Sequence, residues 1–378
     1  MVAVTRVAVH VDQVWFPAPG GIGTYVRNLV PALSRADPGL DLTLFHARFG
    51  TTEVPERWIR EFWVEELPGS IRSLYPRWAL LGRPALPSSL AGADLVHATN
   101  PAGVPPPGPG RRLVVTVHDL AFLRFPSLFA RNWRWQYRLG LRAAVRRADA
   151  IITPSRATAE DLLSRSSVEP DRLHVVPLAS SLDAAPADPE PVLLRLKIRR
   201  PYLLFVGTLE PRKNLVRLVR AYRRVAGGGI PHGLVLAGPL GWHHESLMRE
   251  IALRGPGEIV MTGPLPPGDL DALYRAASAF VYPSLYEGFG LPVVEAMARG
   301  VPTVTSDTSS LPEVAGEAAL TVGPTSVSEL AVALERVLGD RELSRRLGAA
   351  GRERAERFSW AETARLTLQV YEHVLGAK

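Results

Sequence analysis

Glu287 and Glu295 lie eight residues apart in the run AFVYPSLYEGFGLPVVEAMARG, where a strand, a glycine loop and a helix are expected to meet. AFVYPS reads as a buried strand, and Gly288 and Gly290 permit a tight loop whose backbone can approach a ligand. Pro292 suits a first helical position and Gly300 a helix stop. A helix N-terminus of this kind leaves amides free for an anion or an oxygen-rich ligand. A carboxylate repels phosphate but accepts hydrogen bonds from paired hydroxyls, as on a ribose or a hexose. The residue types alone leave two readings open, because acidic side chains are favoured near any helix N-terminus.

A second group is basic. FVGTLEPRKNL starts as a strand, breaks at Gly207 and carries Arg212 and Lys213 ahead of a helix with apolar positions at Leu215, Leu218, Val219 and Tyr222. Adjacent cations at such a turn can neutralise a diphosphate, and the planar guanidinium matches phosphate oxygens. A solvated basic turn is the plain alternative. Nearer the start, Gly20, Gly21 and Gly23 are expected as a loop before an amphipathic helix in GGIGTYVRNLVPAL. Their spacing is not G-x-G-x-x-G, and no acidic residue suited to a ribose ends the second strand, which weighs against a dinucleotide dehydrogenase. His118 and Asp119 close the strand RLVVTVHD, and His97 lies near the end of DLVHAT as a weaker candidate. Lone histidines at such positions are more often structural than catalytic.

These residues need a scaffold, and the chain supplies strands alternating with helices in two series. RVAVHVD, LDLTLFHA, DLVHAT, RLVVTVHD and AIITPS form the first; PYLLFVGT, HGLVLAGP, EIVMTGP, AFVYPS and VPTVTS form the second. Alternation of this kind implies parallel sheets covered on both faces. We therefore expect an α/β protein of two Rossmann-like, doubly wound domains. The expected boundaries are 1–180 for the first domain, 181–199 for a linker rich in Ala, Pro and Asp, 200–360 for the second domain and 361–378 for a closing helix. In such sheets ligands bind beyond the carboxyl ends of the strands, where the candidate residues fall.

Bulk properties narrow the class. A chain of 378 residues, 46% apolar, is long enough for two cores and too apolar for disorder. The absence of cysteine excludes disulfides, thiolate metal sites and cysteine nucleophiles. MVAVTRVAVHVDQ reads as a first strand rather than a signal peptide, and no apolar run reaches the ~18 residues of a membrane span. A cytoplasmic protein is the expectation. The net charge of +7 favours an anionic partner. Residues 131–147, RNWRWQYRLGLRAAVRR, hold six arginines and no acid. Trp133, Tyr137, Gly140, Leu141 and Ala144 form an apolar stripe, while Arg134, Arg138, Arg142 and Arg146 recur at every fourth position. That helix either carries a solvated basic face or meets anionic lipid at the inner membrane face. No nucleic-acid-binding motif accompanies it.

Pro283, Ser284, Tyr286, Glu287, Gly288, Phe289, Gly290, Leu291, Pro292, Glu295, Ala296 and Gly300 form a nearly continuous match. Their run resembles the E-x7-E motif of the GT-B glycosyltransferases, in particular the retaining enzymes of glycosyltransferase family 4. The resemblance implies two domains facing across a cleft, with the C-terminal helix around Trp360 crossing back to the first domain. It also implies that Glu287 faces the transferred sugar and Glu295 holds the ribose diol. The backbone of Gly288, Phe289, Gly290 and Leu291 would then follow the sugar and diphosphate.

GTLEPRKN is similar to the family's basic turn, with Lys213 matching its lysine. Thr208 replaces the arginine that many members carry after the glycine, so the second charge is assigned to Arg212. By the same resemblance, Gly21 and Gly23 approach the donor from the first domain, and His118 lies near the transferred sugar with Asp119 as its orienting partner. The implied activity is hexosyl transfer, mannose-like, from a GDP- or UDP-sugar to a glycan, lipid-linked or small-molecule acceptor. No cofactor is implied, and no D-x-D motif appears where a metal would hold the diphosphate. The competing readings are a nucleotide-sugar epimerase of the same fold and a non-catalytic nucleotide-sugar-binding protein.

Overall fold

The computed structural model describes residues 5–16, 19–50, 54–181 and 188–376. The chain divides into two compact units, one of Met1–Leu178 with Trp360–Lys378 and one of Ala179–Ser359.

Among the described residues, the first unit holds a seven-stranded sheet. Its strands are β1 (Arg6–His10), β2 (Asp41–His46), β3 (Trp63–Glu66), β4 (Leu95–Ala98), β5 (Arg112–Thr116), β6 (Ala150–Thr153) and β7 (Leu173–Val175). All neighbours pair in parallel, in the order β3-β2-β1-β4-β5-β6-β7. β4 and β6 are buried at every position, as strands covered on both faces must be. The edge strand β3 is different: Trp63 is 69% exposed and two glutamates follow it.

The second unit repeats the design with β8 (Tyr202–Val206), β9 (Gly233–Ala237), β10 (Ile259–Gly263), β11 (Ala279–Tyr282), β12 (Thr303–Ser306) and β13 (Ala319–Val322). Here the order is β10-β9-β8-β11-β12-β13, again parallel throughout. The order reverses between β8 and β11, which makes the loops after those two strands the switch point where ligands of such sheets bind. Those loops carry Arg212, Lys213 and Glu287.

The linker differs from the expectation. Residues 182–187 of the expected linker lie outside the described residues. Within the remainder, Glu190–Leu196 is a helix with Leu193 buried, and it belongs to the second unit. The helix Trp360–Gly376 belongs to the first unit, where it packs on the helix Gly20–Ala36. Its Tyr371 hydroxyl stands 2.7 Å from His97 Nδ1, and Thr363 donates to the Pro177 carbonyl at 2.7 Å.

The basic helix forms over Arg131–Arg147, with Gly140, Leu141 and Ala144 of the expected stripe buried and Tyr137 packed against the core. Gln136 is buried and donates to the Ala102 carbonyl, whereas Trp133 is 37% exposed at the rim. Gly140 meets Pro101 so closely that a Cβ there would overlap the Pro101 carbonyl. Arg138, Arg142 and Arg146 face solvent, while Arg134 is partly covered and donates to the Pro126 carbonyl. Among the described residues, no helix is long and apolar enough to cross a membrane.

Candidate active site

The loop after β8 holds its cations against the loop after β11. Leu285 donates its N–H to the Arg212 carbonyl at 2.8 Å, which ties the two loops together. Asn214, in the left-handed region at φ 62°, turns the chain into the helix Leu215–Gly227. Its amide donates to the carbonyls of Pro283 and Pro324. The β11 loop is held from its other side. Ser309 Oγ accepts the Glu287 N–H at 2.9 Å, and Ser310 Oγ donates to the carbonyls of Glu287 and Phe289.

The two loops bring four charges together. Lys213 Nζ donates to Glu287 Oε1 and to the Tyr282 hydroxyl, both at 2.6 Å, and lies 4.9 Å from the Tyr282 ring centroid. Arg212 Nη1 donates to Glu287 Oε2 at 2.8 Å and to the Tyr286 carbonyl at 2.9 Å. Arg212 Nε and Nη2 both reach Glu210 Oε1, at 3.0 and 2.7 Å. Glu210, Lys213 and Glu287 are all buried. Burial alone would raise the Glu287 carboxyl, but the charges of Arg212 and Lys213 outweigh it and hold the group at about 2. The Lys213 ammonium is lowered by burial and by Arg212, with Glu287 opposing the shift.

Glu295 sits in the short helix Leu291–Ala298, whose N-cap Gly290 takes φ 110°. A Cβ on Gly290 would press within 2.9 Å of Leu311, so glycine is required there on two counts. The Glu295 carboxylate accepts one hydroxyl on each oxygen, Ser181 at 3.0 Å and Tyr274 at 2.9 Å. Burial raises this carboxyl above its ordinary value. Arg299 bonds the Glu295 carbonyl at 2.9 Å and the Asp271 carboxylate at 2.6 Å, which anchors the helix. Phe289 is buried against Phe358 edge-to-face, and Leu291 opens the helix. Gly207 follows β8 at φ 145°, hydrogen-bonded to the Ala237 carbonyl.

In the first unit, Gly20, Gly21 and Gly23 form the first turn of the helix Gly20–Ala36 and not a loop ahead of it. The N–H of Gly23 already bonds the Pro19 carbonyl at 3.0 Å, and a Cβ on Gly23 would overlap the Pro19 ring. His118 lies two residues beyond β5, its Nε2–H donating to the Thr99 carbonyl at 2.9 Å and its ring edge-to-face with Tyr25. Burial lowers it to about 4, so it is neutral at pH 7. Asp119 does not orient it: Asp119 Oδ1 accepts the Ala121 N–H and turns the chain. His97 is fully buried between Thr116 Oγ1 at 2.8 Å and the Tyr371 hydroxyl, a core histidine.

The structure thus joins Arg212, Lys213 and Glu287 in one cluster, with Glu295 on the helix that the same loop opens. Glu210, Tyr282, Tyr274, Ser181, Ser309 and Ser310 are partners the sequence did not single out. Tyr282 ends a strand beside the site and could have been found on that ground. The others carry no local signal.

The glycosyl transferases group 1 family matches residues 194–354, and glycosyltransferase family 4 matches residues 19–183. O-antigen chain mannosyltransferase B of Escherichia coli is 32% identical over 374 residues, covering 93% of this chain and 96% of that protein. The chain belongs to this glycosyltransferase family. MMP alpha-(1->4)-mannosyltransferase of Mycolicibacterium hassiacum is 36% identical over 282 residues, which is 71% of this chain and 66% of that protein. Sucrose-phosphate synthase from Thermosynechococcus elongatus has the same fold, with a TM-score of 0.77 at 23% identity over 99% of this chain and 100% of that one. The two parallel-sheet units are those of the GT-B glycosyltransferases.

Proposed function

We propose that the protein transfers a hexose, mannose in preference, from a nucleotide-diphosphate sugar to a glycan, lipid-linked or small-molecule acceptor, retaining the anomeric configuration. The observation that carries this reading is the placing of Arg212 and Lys213 at the β8–β11 switch point beside Glu287. Two cations at this position suit a departing diphosphate. The names of the two mannosyltransferase relatives favour a mannosyl donor, with GDP-mannose first and a UDP-sugar second.

In the proposed reaction the anomeric carbon–oxygen bond to the diphosphate breaks. The acceptor oxygen bonds the same face of that carbon, and the acceptor proton passes to a diphosphate oxygen. Glu287, held at about 2, is a poor base at neutral pH, which supports leaving proton transfer to the diphosphate. Arg212 and Lys213 supply the positive charge, so activity is expected without a metal ion. Glu287 then receives hydroxyls of the sugar and Glu295 the ribose diol, in place of Tyr274 and Ser181. The backbone of Gly288–Leu291 and the turn at Gly207 line the donor. His118, neutral at pH 7, and Gly21 and Gly23 are kept as donor-side candidates on the family resemblance alone. The exposed Arg138, Arg142 and Arg146 suit contact with an anionic membrane surface.

The test is proton NMR of reactions containing GDP-mannose or UDP-glucose, a mannobiose acceptor and EDTA. An α-linked product from the α-linked donor supports the proposal. A β-linked product contradicts retention, and conversion of the donor without acceptor favours an epimerase.

A further inference from the structure

Arg212 and Lys213 are not waiting for an anion; they already hold one. At least four of the five N–H groups of Arg212 point at protein acceptors: one at the Glu287 carboxylate, one at the Tyr286 carbonyl and two at Glu210. Lys213 spends its shortest contacts on Glu287 and Tyr282. The cluster of two cations and two carboxylates, Arg212 and Lys213 with Glu210 and Glu287, is formally neutral. A neutral, buried cluster whose cations are already paired has little affinity for a diphosphate. One of its carboxylates must leave for the cations to bind one.

The two carboxylates are not equivalent. Glu210 lies on the same turn as Arg212, two residues away, and is almost wholly covered, with side-chain exposure of 2%. Glu287 comes from the other loop, touches both cations and retains 9% exposure. It is the member that a diphosphate would displace from both cations at once. Resting on the donor reading given above, we propose that Glu287 is an exchangeable counter-ion. It occupies the diphosphate's place beside Arg212 and Lys213 and is released to the sugar hydroxyls when donor binds.

This exchange sets specificity. A free nucleotide diphosphate or inorganic pyrophosphate must expel Glu287 and leaves that carboxylate desolvated without a partner. A nucleotide-sugar expels it too, but brings hydroxyls that take it up. The site therefore favours intact donor over the nucleotide product and over cellular phosphates. Apparent affinity for the bare diphosphate is reduced by the small fraction of sites in which Glu287 has moved away.

Isothermal titration calorimetry of the full chain tests this with GDP, GDP-mannose, UDP, UDP-glucose and inorganic pyrophosphate. The wild type is expected to bind one sugar nucleotide about 10-fold or more tighter than its own diphosphate. Glu287→Gln is expected to bind that diphosphate and pyrophosphate about 10-fold tighter than wild type, with the preference for the sugar nucleotide lost. Glu210→Gln removes the same charge without touching the exchange, so it should tighten both ligands alike and keep the preference. If the wild type binds diphosphate as tightly as sugar nucleotide, the inference is overturned even when no variant folds. It is also overturned if Glu287→Gln binds diphosphate no tighter than wild type. If no sugar nucleotide binds the wild type at all, the donor reading itself falls and the inference with it.

Discussion

Lys213 lies between a phenol and a carboxylate, and its partners come from the end of β11 and the loop after it. Its loss should therefore disable the donor site without dissolving the core. For Lys213→Ala and Glu295→Ala we expect kcat/KM to fall by about 10²–10³, with circular dichroism unchanged and weaker donor binding by calorimetry. Variants that fold and bind donor normally would contradict the assigned roles.

His118 supports a pH prediction. Its ordinary value of 6.5 drops to about 4 in the folded protein, so below 6.5 the unfolded chain takes up the proton first. Stability from the neutral imidazole is thus complete above 6.5 and is lost as pH falls toward 4. The melting temperature should decline across that window, and less steeply in His118→Gln. The residue types of this site were legible in the sequence, but their pairing was not. Arg212 and Glu287 are 75 residues apart, and local spacing carries no information about which two loops a switch point brings together. The resemblance assigned them to separate parts of a donor, whereas the structure pairs them directly.

At the scale of elements, glycines set the approach of the β8 and β9 loops. Gly238 follows β9 at φ 142°, and a Cβ there would run into the Gly207 carbonyl. Gly238→Ala should cost about 1–3 kcal/mol from overpacking, besides the strain of that backbone conformation. The expected result is a lower Tm together with weaker donor binding, because Gly207 moves with the Arg212 turn. An unchanged Tm would show that the turn yields freely. The central strands were legible because each is a short apolar run buried on both faces. β3, β7 and β13 escaped for a physical reason: they lie at sheet edges, half exposed, and lack that continuous apolar signature. The basic helix was legible with most of its inner stripe, Trp133 and Gln136 being the exceptions. Gln136 is buried because the Ala102 carbonyl satisfies it, a partner no periodicity reveals.

At the scale of the molecule, the first unit is assembled from both ends of the chain. Trp360, Val370, Tyr371 and Val374 of the last helix are buried in it, and Tyr371 and Thr363 supply hydrogen bonds to it. At roughly 1.5–3 kcal/mol for each large apolar side chain fully buried, this helix approaches the ~5–15 kcal/mol net stability of a domain. A chain ending at Ser359 should lose hydrogen-exchange protection in β1, β4 and β5 while β8, β11 and β12 keep theirs. Equal protection in both sheets would contradict the division into these units. The repeat of strand and helix made two α/β units legible, whereas the return of the last helix to the first unit was expected from the family resemblance alone, because its contacts span 274 residues in the case of His97 and Tyr371.

The most direct test of the central claim, that the cluster at the β8–β11 switch point binds a nucleotide-sugar, is a thermal-shift screen. Purified wild type and Lys213→Ala would be melted with UDP-, GDP- and dTDP-sugars, each with and without EDTA. A ligand at about 100 times its Kd adds roughly 2.7 kcal/mol, which raises Tm by several degrees in a protein of this size. The expected result is such a rise for one nucleotide class in the wild type, unaffected by EDTA and absent in Lys213→Ala. No rise with any nucleotide-sugar, or an equal rise in the variant, would contradict it.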